Sequence, residues 1–393
     1  MSTILVISFS DLARDPRVDR QIAFLKRHWT VIAAGLGEPA HDVPYVPLGA
    51  DPVKGRETPL SRLHRLGLIA LRRHEAAYWA SAEVRRAFHR LRGLSPDLIV
   101  ANEIAALPLA LRLAGGRARV LFDAHEYAPG EFDDFWWWRL LFGAQAADLC
   151  RRHIPRADAM TTVSHGIAER YAAETGMRPL VIWNAPFYAE LQPQPVGDRL
   201  RMTHFGWADP TRRIEEMIEL MRFLDDRFTL DLILVPTDRR YLERLHRAAR
   251  GDDRIRFLPP VPMRELVQSA NGYDIGLYLL NADNFNRRFA LPNKIFEFVQ
   301  ARLAVAVGPS PEMARLVREH DLGVVAADHQ PQTLAARLSE LDRDRVYAFK
   351  QRAHAAATSL CAERQGEHLT ERIGELLELS SSTPMGTQPT AGR

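Results

Sequence analysis

The stretch "ALPNKIFEFVQARLAVAVG", residues 290–308, holds one helix and one strand, and together they decide the fold. Pro292 suits the first turn of a helix, where its missing N–H costs nothing. A helix starting there covers most of its surface with Ile295, Phe296, Phe298 and Val299. It gathers Asn293, Lys294, Glu297 and Ala301 on one narrow face. The helix is therefore expected to be buried nearly all round, with a single polar stripe. "LAVAVG", residues 303–308, follows as a wholly apolar run of the kind that parallel sheets bury on both faces.

The same alternation runs through the chain. Apolar runs at 4–8, 30–34, 97–101, 119–124, 159–163 and 180–183 read as buried parallel strands, separated by amphipathic stretches such as "VDRQIAFLKR" and "AALPLALRLA". A proline-rich break, "NAPFYAELQPQPVGD" (184–198), interrupts the pattern. It restarts with "RMTHFGW", "TLDLILVP" (229–236), "RIRFLP" (254–259), "DIGLYLL" (274–280), the 303–308 run and "LGVVAA" (322–327). The expectation is α/β: two Rossmann-like domains, 1–190 and 198–375, facing a central cleft at the carboxyl ends of their strands. A helical stretch at about 332–378 closes the second domain, its late helix free to cross back to the first. The polar tail, 380–393, is expected to be disordered.

At 393 residues the chain is long for one core and suits two. The formal net charge of +3 makes no global demand for nucleic acid. Cys150 and Cys361 stand far apart, outside any CxxC, which excludes a disulfide framework or zinc site and fits a reducing cytoplasm. The opening apolar run is too short for a signal peptide, and no apolar stretch reaches about 18 residues. Basic charge is uneven: from Lys54 to Arg92 there are ten Lys and Arg against three acids. With Leu66, Leu68, Ile69, Tyr78 and Trp79 in the same stretch, and "EFDDFWWWRLLFG" beyond it, contact with an anionic membrane surface is one expectation. Helices packing one face inward is the other.

Two segments carry the chemistry. A helix N-terminus presents free N–H groups and partial positive charge, so the Pro292 turn with Asn293 and Lys294 is a candidate phosphate seat. Glu297 lies four residues further, roughly 6 Å along the axis, about the reach from a diphosphate to its ribose. The alternative is a Lys294–Glu297 pair on a core helix. "THFGWADPTRRIEEMIELM" places Gly206 just past a strand and Arg212–Arg213 at the head of an amphipathic helix, a second anion site or else a turn with solvated arginines. No GxGxxG and no GxxxxGK[ST] occurs.

These residues resemble the family-4-type retaining glycosyltransferases of GT-B architecture, over about residues 1–375. The resemblance rests on "DLARDPRVDRQIAFL", "DLIVANEIAALPLALRLA", "LFDAHEY", "ADAMTTVSHGIAERYAAETG", "VIWNAP" and "NFNRRFALPNKIFEFVQARLAVAVG" in that order. It implies a nucleoside-diphosphate-sugar donor held mainly by the C-terminal half and an acceptor held mainly by the N-terminal half. Glu297 matches the ribose-binding second glutamate of the E-x7-E motif. Phe289 stands where its first glutamate falls, a departure shared by an "LPNK(I/L)FE" subgroup. Arg212 matches the diphosphate cation, Gly206 the nearby glycine, and Arg213 a position that is often glycine.

His125 matches a histidine near the donor sugar, with Glu126 beside it as a sugar or acceptor contact. Both are candidate catalytic residues, although a strand-end histidine bonded to a loop gives the same pattern. Asp15 and Arg17 match an early Asp-x-Arg. Asp15–Pro16 also reads as an N-cap and first turn, and Arg17 is set on the acceptor side with Trp136 and Trp137.

The resemblance implies sugar transfer to a glycan, glycolipid or small molecule with retained configuration. The diphosphate's charge would be met by Lys294, Arg212 and helix N–H groups in place of a metal. No cofactor, metal or nucleic-acid partner is expected, and "DRD" (342–344), in a polar helical stretch, is rejected as a metal site. The expected location is cytoplasmic, peripheral at the inner membrane face. Two alternatives are a non-hydrolysing sugar-nucleotide epimerase, which needs acid/base carboxylates, and a silent nucleotide-sugar-binding protein, which binds without turnover.

Overall fold

The structure, a computed structural model, describes residues 1–49, 58–131 and 133–381. Residues 54–57 of the basic stretch and 382–393 of the tail thus lie outside the described residues. The chain divides into two units: residues 1–163, 167–182 and those from Gly366 onward form the first, and 164–166 with 183–365 the second.

In the first unit the strands are β1 (Thr3–Ile7), β2 (Thr30–Gly35), β3 (Tyr45–Pro47), β4 (Leu98–Asn102), β5 (Arg119–Ala124), β6 (Ala159–Thr162) and β7 (Leu180–Val181). They pair in parallel in the order β3-β2-β1-β4-β5-β6-β7. Short β3 is not anticipated by the apolar runs, because "YVP" at a sheet edge carries too little hydrophobic signal. The helix Pro16–Leu25 packs Val18, Ile22 and Leu25 on this sheet. Leu369, Ile373 and Leu376 of the last helix, Ala362–Ser381, close the same core.

In the second unit the strands are β8 (Leu200–Ala208), β9 (Phe228–Pro236), β10 (Ile255–Leu258), β11 (Ile275–Tyr278), β12 (Ala304–Val307) and β13 (Gly323–Val325). Their order is β10-β9-β8-β11-β12-β13, again parallel. Both faces are covered, so the strands alternate between two cores rather than between core and water. Met202, Leu232, Leu277 and Ala306 face one core; Phe205, Ile233, Tyr278 and Val305 face the other. The order of each sheet reverses beside its first strand, between β1 and β4 and between β8 and β11, and such switch points open ligand sites at the carboxyl ends of α/β strands.

The helix Asn293–Gln300 sits in the second of these cores, with Ile295, Phe296, Phe298 and Val299 all fully buried. Pro292 is the residue before the helix, with φ −73° and ψ 155°, rather than its first turn. Phe298 presses its ring onto Gly276 of β11, where an added Cβ would lie 2.2 Å from the ring's Cγ. It also meets Phe205 of β8 edge-on, ring centroids 5.1 Å apart.

The proline-rich segment is no free linker but is strapped onto the second unit. Buried Arg302 donates to the carbonyls of Ala189 (2.6 Å) and Leu191 (3.2 Å), and Gln300 accepts from the Ala189 N–H (3.0 Å). The large buried guanidinium thus replaces strand or helix bonds for a stretch whose prolines make neither.

Gly276→Ala is expected to destabilise the protein by about 1–3 kcal/mol by overpacking Phe298, read as a lower urea midpoint.

Candidate functional site

In the second unit the polar residues converge at the carboxyl ends of β8 and β11. Gly206 lies inside β8, paired with Leu234, rather than just past the strand, and its φ of +149° favours glycine. The space over it is taken by Lys294: a Cβ on Gly206 would stand 2.7 Å from Nζ and 2.8 Å from Cε. The same Nζ lies 5.2 Å from the ring centroid of Tyr278, the last residue of β11. Arg212, in the 3-10 turn Pro210–Arg212 that follows β8, brings Nη1 to 3.5 Å from the Tyr278 hydroxyl. Arg213 then adopts φ +48° and ψ 47°, the left-handed region that suits glycine, and pairs outward with Glu216 at 3.1 Å.

Lys294 and Arg212 are half-buried, and among the described residues neither makes an ion pair. Beneath them His204, fully buried, stacks on Tyr278 at 5.6 Å and donates from Nδ1 to the Leu277 carbonyl at 3.0 Å. Burial, joined by the positive charges of Lys294 and Arg212, pushes the imidazole down to about 3. A neutral base under two cations leaves a net positive surface at a helix N-terminus. This is an arrangement for an anion. Asn293 opens the helix, and Glu297, one turn on, is half-buried among its apolar neighbours.

Phe289, at the position of the missing first glutamate, ends the short helix Phe285–Arg288 and packs on Phe285 at 4.9 Å. Its ring fills the space over Gly166, where a Cβ would lie 1.9 Å from Cδ1. The Gly166 N–H in turn donates to buried Glu312 at 2.8 Å.

The first unit gathers a different set at the ends of β4 and β5. Asp15 caps the Pro16–Leu25 helix, accepting from the Arg17 and Val18 N–H groups. Arg17 faces inward. Its guanidinium forks onto buried Asp123 at 2.7 and 2.6 Å and donates to the Ile182 carbonyl at 2.7 Å. Gln21 and Thr161 add bonds to the same carboxylate at 2.7 and 2.6 Å. These bonds and the Arg17 charge overcome burial and hold Asp123 well below the usual carboxylate range.

His125 follows β5, its Nε2 donating to Asn102 Oδ1 at 3.1 Å and lying 3.5 Å from Asp123. Its Nδ1 lies 3.4 Å from Glu103, whose carboxylate also accepts the His125 backbone N–H at 3.0 Å. Glu103 itself has φ +65°, a strained setting for a non-glycine residue. Burial works against the imidazolium, but Glu103 and Asp123 outweigh it and raise the His125 pKa. Burial raises Glu103 to about 7, despite the opposing pull of His125. Glu126 is half-buried beside them, its carbonyl accepting from the Tyr171 hydroxyl at 3.0 Å.

Glu103, Asp123, Asn102 and Gln21 are the members that sequence reasoning misses. The only signal for Asn102, Glu103 and Asp123 is the strand-end placement of "ANE" and "DAH", and Gln21 reads simply as part of the Pro16–Leu25 helix. Trp136 and Trp137 stand apart from this network, exposed in a single helical turn, Trp136–Trp138. Asp342 of the rejected "DRD" caps the Arg343–Ala356 helix, accepting from Arg345 N–H at 2.7 Å. Among the described residues no group of three or more His, Cys, Asp or Glu is placed to hold a metal ion. Among them, too, no helix is long and apolar enough to cross a membrane.

Solved structures match the architecture over nearly the whole chain. Anabaena Alr3699/HepE, solved in complex with UDP and glucose, aligns with a TM-score of 0.72 and 16% identity, covering 95% of this chain and 100% of its own. The fold is GT-B. Sucrose-phosphate synthase from Thermosynechococcus elongatus aligns with a TM-score of 0.72 and 13% identity over 96% of this chain and 99% of its own. The UDP-forming α,α-trehalose-phosphate synthase from Burkholderia vietnamiensis gives 0.68 and 14% over 98% and 100%. Residues 25–185 match the family model Glycosyltransferase Family 4. A search of curated protein sequences gives no match.

Glu103 and His125 both bind a proton more firmly in the folded protein than in the unfolded chain. The contribution of Glu103 is therefore full below its unfolded value of 4.5 and is lost as pH rises through about 7, and that of His125 is full below 6.5 and is lost at higher pH. Glu103→Gln is expected to flatten the fall of melting temperature with pH across that window. Arg17→Ala strands the buried Asp123 carboxylate and is expected to cost about 3–5 kcal/mol of unfolding free energy at neutral pH.

Proposed function

We propose that the protein is a glycosyltransferase that moves a sugar from a nucleoside-diphosphate-sugar donor to a glycan, glycolipid or small-molecule acceptor, with retained configuration and no required metal. The observation that carries this reading is the pair of cations without carboxylate partners among the described residues, Lys294 and Arg212, gathered near Gly206 and Tyr278 at the start of the Asn293–Gln300 helix. The neighbours' GT-B architecture, the complex of one of them with UDP and glucose, and the family-model match of residues 25–185 support it.

In this reading the donor diphosphate sits on the helix N–H groups, with Lys294 and Arg212 as counter-charges, and Asn293 lines the seat. Glu297, one turn deeper, accepts hydrogen bonds from the ribose hydroxyls. As the bond between the anomeric carbon and the phosphate oxygen breaks, its electron pair passes to the diphosphate. The fixed cations and helix dipole stabilise that charge without reorganising. The acceptor oxygen bonds to the anomeric carbon from the same face, and its proton passes to the departing phosphate.

His125 and Glu126 act at the transferred sugar. His125 is held in orientation by Asn102 and Glu103, and Arg17 acts through Asp123 as a positioning residue. The two fixed cations supply the charge that a divalent ion supplies elsewhere, hence the proposed metal independence.

The test is calorimetric titration of UDP, GDP, ADP and dTDP, with Mg²⁺ or with EDTA, on the wild type, Lys294→Ala and Glu297→Ala. One nucleotide is expected to bind equally in EDTA. Each variant is expected to lose about 1–3 kcal/mol of binding free energy while melting normally. No binding by the wild type, or unchanged binding by both variants, overturns the donor site. Turnover of the matching sugar nucleotide with an acceptor separates transfer from silent binding, and an altered sugar nucleotide as sole product indicates an epimerase.

A further inference from the structure

Two cations at one site repel each other, and the fold must hold them there. Lys294 and Arg212 reach the carboxyl ends of β8 and β11 from different elements, the Asn293–Gln300 helix and the turn Pro210–Arg212. Elsewhere in the second unit carboxylates hold the arginines. Arg256 forks onto Asp231 at 2.8 and 2.6 Å, and Arg254 onto Asp252 at 2.9 and 2.7 Å. Lys294 and Arg212 have no such partner among the described residues, and both meet Tyr278. Its ring centroid lies 5.2 Å from Lys294 Nζ, and its hydroxyl accepts from Arg212 Nη1 at 3.5 Å.

Tyr278 is well fixed for this. It ends β11, pairs with Val307 of β12 and is 1% exposed, in the core that also holds Ile295, Phe298 and Val299. The His204 ring stacks on it, centroids 5.6 Å apart and planes 11° from parallel. His204 is held in turn by the bond from its Nδ1 to the Leu277 carbonyl at 3.0 Å. Burial and the two cations keep that imidazole neutral, so the stack adds no third positive charge.

The chemistry of a phenol matches the task. A carboxylate in its place would bind both cations more strongly, but it would cancel their charge and compete with an incoming anion. The ring face attracts an ammonium through its quadrupole, and the hydroxyl accepts from a guanidinium, yet neither carries net charge. At 3.5 Å the Arg212 contact stands at the outer limit of a hydrogen bond. Arg212 therefore gives it up at little cost when a phosphate oxygen offers a charge-assisted bond.

We propose that Tyr278 is the positioning residue of the anion seat, holding Lys294 and Arg212 toward one ligand while leaving their charge uncompensated. Being buried, it acts through the two cations and not by touching the ligand. This role rests on the donor reading for the identity of that ligand, a nucleoside diphosphate. It adds the residue that pre-organises the counter-charges.

The experiment is calorimetric titration of UDP, GDP, ADP, dTDP and inorganic pyrophosphate into the wild type, Tyr278→Phe and Tyr278→Leu, and into each tyrosine variant combined with Arg212→Ala or Lys294→Ala. Tyr278→Phe keeps the ring and loses the hydroxyl, and is expected to weaken binding about threefold. Tyr278→Leu loses both, and is expected to weaken it about tenfold. With Arg212→Ala already present, Tyr278→Phe is expected to change affinity no further. With Lys294→Ala present, the extra loss of Tyr278→Leu over Tyr278→Phe is expected to vanish.

A merely structural tyrosine would instead give losses that add to those of the cation variants, and that result overturns the proposal. Unchanged binding by both tyrosine variants overturns it too. Tyr278→Phe removes one exposed-to-nothing hydroxyl and leaves the ring packing intact, so it decides the matter even where Tyr278→Leu melts early. If the wild type binds none of the five ligands, the donor reading falls and this role falls with it. If the wild type binds and the tyrosine variants bind alike, the role of Tyr278 falls alone.

Discussion

The contact between Phe298 and Gly276 sets the geometry on which the second unit's site depends. A phenyl ring resting on a bare strand backbone brings the Asn293–Gln300 helix closer to β11 than any side chain at 276 would allow. That approach sets the height of the helix N-terminus above the sheet, and with it the position of Lys294. Gly206 repeats the arrangement one strand away, leaving the space that the Lys294 ammonium occupies. Two glycines therefore do a related job: one admits a ring and the other a charge. The positive φ of Gly206 adds a backbone reason to the steric one.

The two sheets reverse order at corresponding points, yet the sites at those points differ in chemistry. In the second unit Lys294 and Arg212 stand without carboxylate partners among the described residues, above a histidine forced neutral, which leaves net positive charge at the helix N-terminus. At the first unit's site two oppositely charged pairs meet: Arg17 with Asp123, and His125 with Glu103. Burial makes the first of these pairs rigid, since separating either member would leave an uncompensated ion. In the second pair His125 Nδ1 stands 3.4 Å from Glu103, which adopts a left-handed backbone conformation and accepts the His125 backbone N–H. The first site is built to hold its own groups in place, the second to receive something.

Much of this was legible before the fold. The apolar runs located twelve of the thirteen described strands, because fully buried parallel strands leave an unbroken apolar signature. The polar stripe of the 290–308 segment and the arginines after "HFGW" stood out for the same reason: a charge within an apolar helix, or at its head, departs from the pattern around it. Arg17 was visible but its direction was not. A guanidinium beside a helix N-cap reads the same whether it points outward to a ligand or inward to a carboxylate 106 positions later.

By itself the sequence determined the alternation of strands and helices, the division into two α/β halves, and the residues that carry charge at strand ends, because burial periodicity and capping are local. The tertiary structure decided which of those residues meet. Asp123 reaches Arg17, Glu103 reaches His125, and Lys294 lies over Gly206 only once parallel strands far apart in the chain lie side by side. It also decided that the leucines of the Pro59–Ala70 helix face outward. An amphipathic pattern states that a helix has an apolar face, and only packing decides whether the protein itself covers it.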